Sequence, residues 1–161
     1  MVLLILGVAA AAVTLRVEPV LHRAQMDQVV SDIVEFDRLT RTLARGHDQQ
    51  LRLVIDTSVG ELRRLDGSGL ESRGRAVRLP SNFAITKIMI RSQDIAAGTI
   101  SIPCSRRGFM PTYAVRIQGP NRDRQWVLMT ALGGQKVMMD DDNDRNIIEI
   151  LAFTTRRRNT D

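Results

Sequence analysis

The first 45 residues constrain this chain more than any other stretch, because they have the pattern of one long helix. Residues 1–13 read MVLLILGVAAAAV, and the first charged residue is Arg16. Further along, apolar residues recur at steps of three and four, which places them on one helix face. Gly46, with Arg41 and Arg45 in the turn before it, is a typical helix stop. We predict one helix of about 40 residues within this stretch, roughly 60–65 Å long at 1.5 Å per residue, which is more than a single globular domain requires.

The two parts of this helix have different surfaces and therefore different expected roles. Residues 1–13 are apolar or small on every side, and we expect residues 1–20 to lie in a membrane or in a filament core. The side chains assigned to that role are Val2, Leu3, Leu4, Ile5, Leu6, Val8, Val13 and Leu15. Residues 21–45 are amphipathic, and their apolar face is expected to pack on the rest of the chain. That face consists of Met26, Val29, Val30, Ile33, Phe36 and Leu43.

Two residues interrupt this simple picture of the helix. Pro19 lies where the apolar part gives way to the amphipathic part, and it is expected to kink or loosen the helix. Asp37 is the one charge near the apolar face. Since residues 1–20 have no stripe directed at the head, we expect the head to fold without them.

The apolar start allows three interpretations. A cleavable signal peptide has an apolar run of this length, but it begins with basic residues, which are absent here. A membrane span needs about 20 residues, and the 15 residues before Arg16 reach only about 22 Å of a core of about 30 Å. The third interpretation is a span whose beginning is missing, which the opening inside the apolar run favours.

From residue 50 the period changes from 3.6 to 2, which predicts an antiparallel, β-rich head over residues 46–155. Residues 156–161 are expected to form a flexible tail. The strands are predicted at residues 51–56, 61–66, 76–79, 83–90 with a bulge near Lys87, 99–102, 113–118 with one solvated face, 125–132 and 135–139. Gly133 and Gly134 are interpreted as a two-residue hairpin turn. Residues 146–153 fit either a last strand or a short helix. The fold class is therefore α+β.

The composition and motifs of the chain argue against nucleic-acid binding, catalysis and cofactor binding. The net charge of +5 comes mostly from scattered arginines with few aromatic residues between them, so no nucleic-acid partner is expected. Cys104 is the only cysteine, which excludes an internal disulfide and favours a small buried apolar residue over a nucleophile. No nucleophile elbow and no phosphate-binding glycine motif occurs. We therefore expect no catalytic residue and no cofactor.

The densest group of carboxylates is a weak candidate for a metal site. Asp140, Asp142 and Asp144 lie close together in the segment DDDND, and hard oxygen ligands suit calcium. Their spacing is not that of an EF-hand, which needs a glycine and a distal glutamate. A solvated acidic turn is the favoured interpretation, and no metal is expected.

Several segments resemble the type IV pilin-like proteins, and most closely the H-type minor pseudopilins of type II secretion. VLLILGVAAAAV is similar to the middle of their N-terminal helix, and TRTLARGHDQQLRLVIDTSVGELRRLD is similar to their helix exit and first hairpin. LPSNFAITKI, GTISIPCSRRGFMPTYAVRI and VLMTALGGQKVM resemble later strands and the closing hairpin. The resemblance follows nearly the whole chain in order.

The resemblance implies a structural, non-enzymatic subunit. Such proteins are anchored in the inner membrane by a single pass with the head in the periplasm, and their helices pack into the core of a pseudopilus. The partners implied are other pseudopilins or pilins through the N-terminal helix, the inner membrane and the assembly platform. Processing and methylation of the N-terminus belong to the same pattern, but no residue here matches the processing site. A minor pilin of a type IV pilus, and a signal-anchored envelope protein whose head binds a ligand, remain as alternatives.

The upstream reading frame offers a test of this resemblance. We expect codons for a basic leader, then Gly-Phe-Thr-Leu or a close variant, then a glutamate shortly before Met1. The reason is that the apolar run is about five residues short of a bilayer core. Reading the upstream DNA, or identifying the native N-terminal peptide by mass spectrometry, checks this expectation. An in-frame stop codon directly before Met1, with a native peptide starting at Met1 or Val2, would contradict it.

Overall fold

The computed structural model describes residues 2–90, 93–95 and 98–139, together with Ile147, Glu149 and Leu151; side chains are described for residues 20–90 and 98–135 and for those last three. A single helix, α1, runs from Val2 to Gly46 and continues through Pro19. The chain leaves the helix through Asp48, which has a left-handed φ of 48°, while Gln49 N–H donates to the carbonyl of Ala44. Gly46 thus ends the helix, as predicted, but the left-handed residue is Asp48.

Nine strands follow α1 within the described residues, and they form two antiparallel sheets. They are β1 Leu51–Asp56, β2 Glu61–Asp66, β3 Val77–Arg78, β4 Ala84–Ile90, β5 Gln93–Ile95, β6 Thr99–Cys104, β7 Tyr113–Gln118, β8 Arg124–Met129 and β9 Gln135–Met139. The first sheet has the order β3-β2-β1-β6, and the second has the order β5-β4-β7-β8-β9. The predicted α+β class and β-rich head are confirmed.

The strand registers explain two local details. The pairing of β4 with β7 shifts between Ile85 and Lys87, which is the bulge predicted near Lys87. The strand β6 continues through Pro103 to Cys104, two residues beyond the predicted end at residue 102. This is possible because β6 lies at the edge of its sheet, where a residue without an N–H costs no ladder hydrogen bond.

The main core lies between the amphipathic half of α1 and the inner faces of both sheets. Residues of the helix and of β1, β4, β6 and β7 form one continuous apolar cluster. Ile33 is 1% exposed at its centre, and Leu53, Ile88 and Tyr113 are fully buried. The helix face and the sheets therefore depend on each other for burial.

A second, smaller core covers the opposite face of the second sheet, where a solvated face of β7 was predicted. That prediction was wrong, because Ala114 and Trp126 are fully buried there against Ile147 and Leu151. Residues 147, 149 and 151 are helical, so the structure selects the helix of the two alternatives left open for this segment. An i, i+4 pair of apolar side chains suits that role.

The connection between β8 and β9 is also longer than predicted. Met129 pairs with Gln135, so the loop comprises residues 130–134 rather than a two-residue turn. The loop is closed by Thr130 N–H donating to the carbonyl of Gly134 and by Gly133 N–H donating to the carbonyl of Thr130. Only Gly133 of the two glycines has a positive φ, at 92°.

Ile33 offers a test of the interdependence of helix and head. Because Ile33 is 1% exposed, Ile33→Asp should lower the free energy of unfolding by several kcal/mol through an unpaired buried charge. Ser31→Asp, on the exposed face of the same helix, is the matched control and should change it by less than about 0.5 kcal/mol. Thermal unfolding of the full chain in detergent measures both. Equal effects would place Ile33 outside the core.

Candidate functional site

The helix residues that were assigned a role from the sequence fall into three groups: buried, partly buried, and those whose side chains are not described. Met26, Val29, Val30, Ile33 and Phe36 are buried in the main core, and Leu43 is partly buried against it. Residues 2–15 belong to α1, but their side chains are outside the described part. The calcium candidates Asp140, Asp142 and Asp144 also lie outside the described residues. Within the residues that are described, no helix is long and apolar enough to cross a membrane.

A buried ion pair lies at the centre of the interface between helix and head. Arg41 donates from Nε to Oδ2 of Asp37 at 2.6 Å and from Nη2 to Oδ1 at 3.2 Å. Both side chains are at most 4% exposed. The hydroxyl of Tyr113, on β7, donates to Oδ1 of Asp37 at 2.7 Å. The helix is therefore joined to the second sheet by charge-assisted hydrogen bonds.

The remaining donor of Arg41 reaches two loops of the head. Nη1 donates to the carbonyl of Ala131 in the β8–β9 loop at 2.7 Å and, at 3.4 Å, to the carbonyl of Gly108 in the β6–β7 loop. Gly108 has a φ of 76°, and a Cβ there would lie 2.9 Å from the backbone oxygen of Arg41. Glycine is thus needed for this loop to approach the helix.

The sequence indicated only part of this cluster. Asp37 was noted as the one charge near the apolar face and Arg41 was assigned to the helix stop, whereas Tyr113 was only the first residue of a predicted strand. The i, i+4 spacing of Asp37 and Arg41 on the edge of an apolar stripe was the available signal. The two carbonyl partners could not be found from the sequence, because they depend on how the loops fold.

Burial determines the acid–base character of the neighbouring groups. It raises the pKa of the Tyr113 hydroxyl well above its usual value, and the charge of Asp37 raises it further. Burial likewise raises the pKa of the Cys104 thiol to about 11. Cys104 is 1% exposed and remains a neutral thiol at pH 7, so it is not an activated nucleophile.

One open cleft of about 270 Å³ lies beside the β6–β7 loop. Its apolar wall comes from Pro103, Phe109 and Pro111, and Arg52 contributes a cation. None of its lining residues is a carboxylate or a histidine, so the cleft does not build an acid–base pair.

The exposed face of α1 is the other surface that the fold presents. It carries Asp27, Asp32 and Glu35, followed by Arg38, which lies 3.7 Å from Glu35. Leu39 is also exposed on this face. The described geometry therefore presents a helix with a charged outer surface beside a β-rich head, and such a surface suits packing against other proteins more than turnover of a substrate.

Comparison with known proteins shows the fold. By sequence, the chain matches no protein-family model and no curated protein. Its structure is similar to that of the minor pseudopilin EpsH from the type 2 secretion system of Vibrio cholerae, with a TM-score of 0.53 and 12% identity, covering 68% of this chain and 93% of that one. A second EpsH crystal structure gives 0.51 at 12% identity, with coverages of 71% and 94%.

The type IV minor pilin FimU of Pseudomonas aeruginosa is similar to nearly the same degree. Its TM-score is 0.51 at 9% identity, and the match covers 74% of this chain and 90% of that one. The long N-terminal helix packed on antiparallel sheets is thus the pilin-like fold that the sequence resemblance implied.

The buried ion pair can be tested by removing one partner. Arg41→Met should lower the free energy of unfolding by about 3–5 kcal/mol, because Asp37 would be left buried without its cation. Arg38→Met, whose side chain is 77% exposed, is the control and should cost less than about 1 kcal/mol. Denaturant unfolding of the full chain in detergent measures both. A small effect at Arg41 would show that the pair does not hold the helix to the head.

Proposed function

We propose that this chain is a structural minor pseudopilin of a type II secretion system, with no enzymatic activity of its own. The observation that carries the proposal is the match to EpsH over 93% of that protein's chain, with the head packed on the second half of a 45-residue helix. The sequence resemblance to H-type minor pseudopilins supports the same assignment independently of the fold.

The distribution of apolar residues supports the proposed location. The apolar run over residues 1–15 keeps its side chains dry either in lipid or among other apolar helices. We propose that it anchors the chain in the inner membrane by a single pass, with the head in the periplasm, and later packs into the pseudopilus. Other pseudopilins and the assembly platform are then its partners, and N-terminal processing with methylation is the maturation that accompanies them.

A minor pilin of a type IV pilus is the second candidate, and a specific observation favours it. The match to FimU covers 90% of that chain at a TM-score of 0.51, close to the value for EpsH. The two functions share the fold and the helix, so they differ in the system that the subunit joins. A signal-anchored envelope protein is the third candidate, and it would need no filament at all.

Deletion of the gene in its native host separates these candidates. We expect loss of the secreted proteins from the culture supernatant, with twitching and transformation unchanged. Complementation with the unaltered chain should restore secretion, whereas Leu6→Asp should not, because a charge in the apolar run is costly in lipid or in a helix bundle. Ser81→Asp, at an exposed position of the head, is the control and should restore it.

Other outcomes of the deletion would point elsewhere. Loss of twitching or transformation with normal secretion would replace the proposal by the minor pilin. No change in any of these activities would favour the signal-anchored protein and would contradict assembly into a filament.

A further inference from the structure

Among the residues whose side chains the structure describes, two arginines are buried at the interface between α1 and the sheets, and they differ in how their charge is compensated. Arg41 is 3% exposed and is held by a carboxylate and two backbone carbonyls. Arg64, on β2, is 6% exposed. Among the described residues no carboxylate pairs with Arg64, and its Nε has no hydrogen-bond partner. The described interface between helix and head thus contains one buried arginine whose charge is paired and one whose charge is not.

The position of Arg64 is fixed by its neighbours. It pairs with Leu53 across β1 and β2, and its side chain points at the helix, where the guanidinium carbon lies 4.3 Å from the centroid of the Phe36 ring. The backbone of Gly74 passes close to its terminal nitrogen, since a Cβ at Gly74 would lie 3.5 Å from Nη1. Gly74 also has a φ of 83°, which favours glycine. Because glycine has no side chain, residue 74 does not cover the Nη1 end of the Arg64 guanidinium.

The contact with Phe36 does not compensate the buried charge. A cation over an aromatic ring gains about 0.5–2 kcal/mol, whereas the effective penalty for burying an ion is several kcal/mol. Burial also lowers the pKa of the Arg64 guanidinium, which reflects the same penalty. The charge remains, because arginine is not deprotonated in proteins at neutral pH. An incoming carboxylate would meet a guanidinium that has already lost most of its water.

The carboxylates near Arg64 are engaged with other groups. Glu61 pairs with Arg63 at 3.2 Å and with Arg78 at 3.8 Å, and Glu71 pairs with Arg73 at 3.1 Å. Asp66 accepts from the hydroxyl of Ser68 and from the backbone of its own turn. Residues 61–78 contain five arginines and three carboxylates, so the surface around Arg64 has an excess of positive charge.

We propose that Arg64 is a binding site for a carboxylate of a neighbouring subunit, an aspartate or glutamate side chain that pairs with the guanidinium when the subunits assemble. The planar guanidinium suits a bidentate carboxylate, and the positive surroundings attract an acidic partner surface. The neighbouring subunit in this statement rests on the proposed function, whereas the preference for a carboxylate rests on Arg64 alone.

The first experiment separates assembly from stability. Arg64→Met is compared with Arg63→Met in the full chain expressed in the native host; Arg63 is a half-buried arginine next to it on the same strand whose charge is already paired with Glu61 at 3.2 Å. Recovery of other subunits is measured after chemical cross-linking and affinity purification, and Tm is measured on the purified chain in detergent. Arg64→Met should reduce recovery by at least about tenfold while Tm stays equal or rises, because an uncompensated buried charge has been replaced by an apolar side chain.

The control variants define what overturns the proposal. Arg63→Met should change neither measurement, and Arg64→Lys should restore recovery only in part, since an ammonium cannot form the bidentate pair. Normal recovery with Arg64→Met would overturn the proposal. A fall in Tm that matches the loss of recovery, with Arg64→Lys restoring both fully, would also overturn it and show a purely structural role.

A second experiment tests the carboxylate preference without any partner. The full chain, labelled with ¹⁵N at its arginine side chains, is titrated with sodium acetate at constant ionic strength set with sodium chloride. The Nε–H signal that is lost in Arg64→Met should shift and saturate with acetate, while the signal that is lost in Arg63→Met should not. Equal shifts of the two signals, or none, would overturn the preference. If the unaltered chain recovers no other subunit, the proposed function fails, and this titration decides the role of Arg64 by itself.

Discussion

The ion pair between Asp37 and Arg41 is the interaction on which the arrangement of helix and head depends. It joins four separate pieces of chain, because Arg41 reaches two loop carbonyls while Asp37 accepts from Tyr113. A buried pair of this kind adds little net stability compared with apolar side chains of the same size, but each of its partners is costly to leave unpaired. An apolar interface tolerates small rotations and slips, whereas this network is complete in one arrangement only. We regard it as the feature that selects that arrangement.

The sequence predicted the parts of the fold that are determined locally. β1 and β2 begin and end at the predicted residues, because the alternation of apolar and polar residues and the turn residues between the strands are local in the sequence. The five-residue loop between β8 and β9 was missed, since its length follows from the pairing of Met129 with Gln135 across the sheet. The burial of Ala114 was missed because its cover, Ile147 and Leu151, comes from much later in the chain. The ion-pair network has a part of each kind. The spacing of Asp37 and Arg41 is local to the helix, whereas the bonds to Tyr113 and to the two loop carbonyls depend on how the head folds.

The likeness to pseudopilins and minor pilins at 9–12% identity has a physical explanation. The fold needs an apolar stripe on the helix, alternation in the strands and glycine at a few close approaches, and many sequences supply these. What distinguishes one such subunit from another must then lie in the residues that the fold does not require. The charges on the outer face of α1 and the excess of arginine around β2 are residues of that kind. Under the proposed function, the choice between a secretion pseudopilus and a type IV pilus would therefore depend on surface residues more than on the core.

Because α1 is continuous, the orientation that the helix has at Asp37 and Arg41 also determines where its N-terminal end lies. From Asp37 back to Val2 the helix extends about 52 Å at 1.5 Å per residue. A tilt of about 10° at Asp37 would move the far end by about 9 Å, which is close to the distance of 8–10 Å between the axes of packed helices. In the proposed filament, a tilt that displaces the core residue Met26 by only about 3 Å would thus shift the tip to the place of an adjacent helix. The contacts that fix the angle act far from the tip, and in the proposed filament they would decide which neighbouring helix the tip meets.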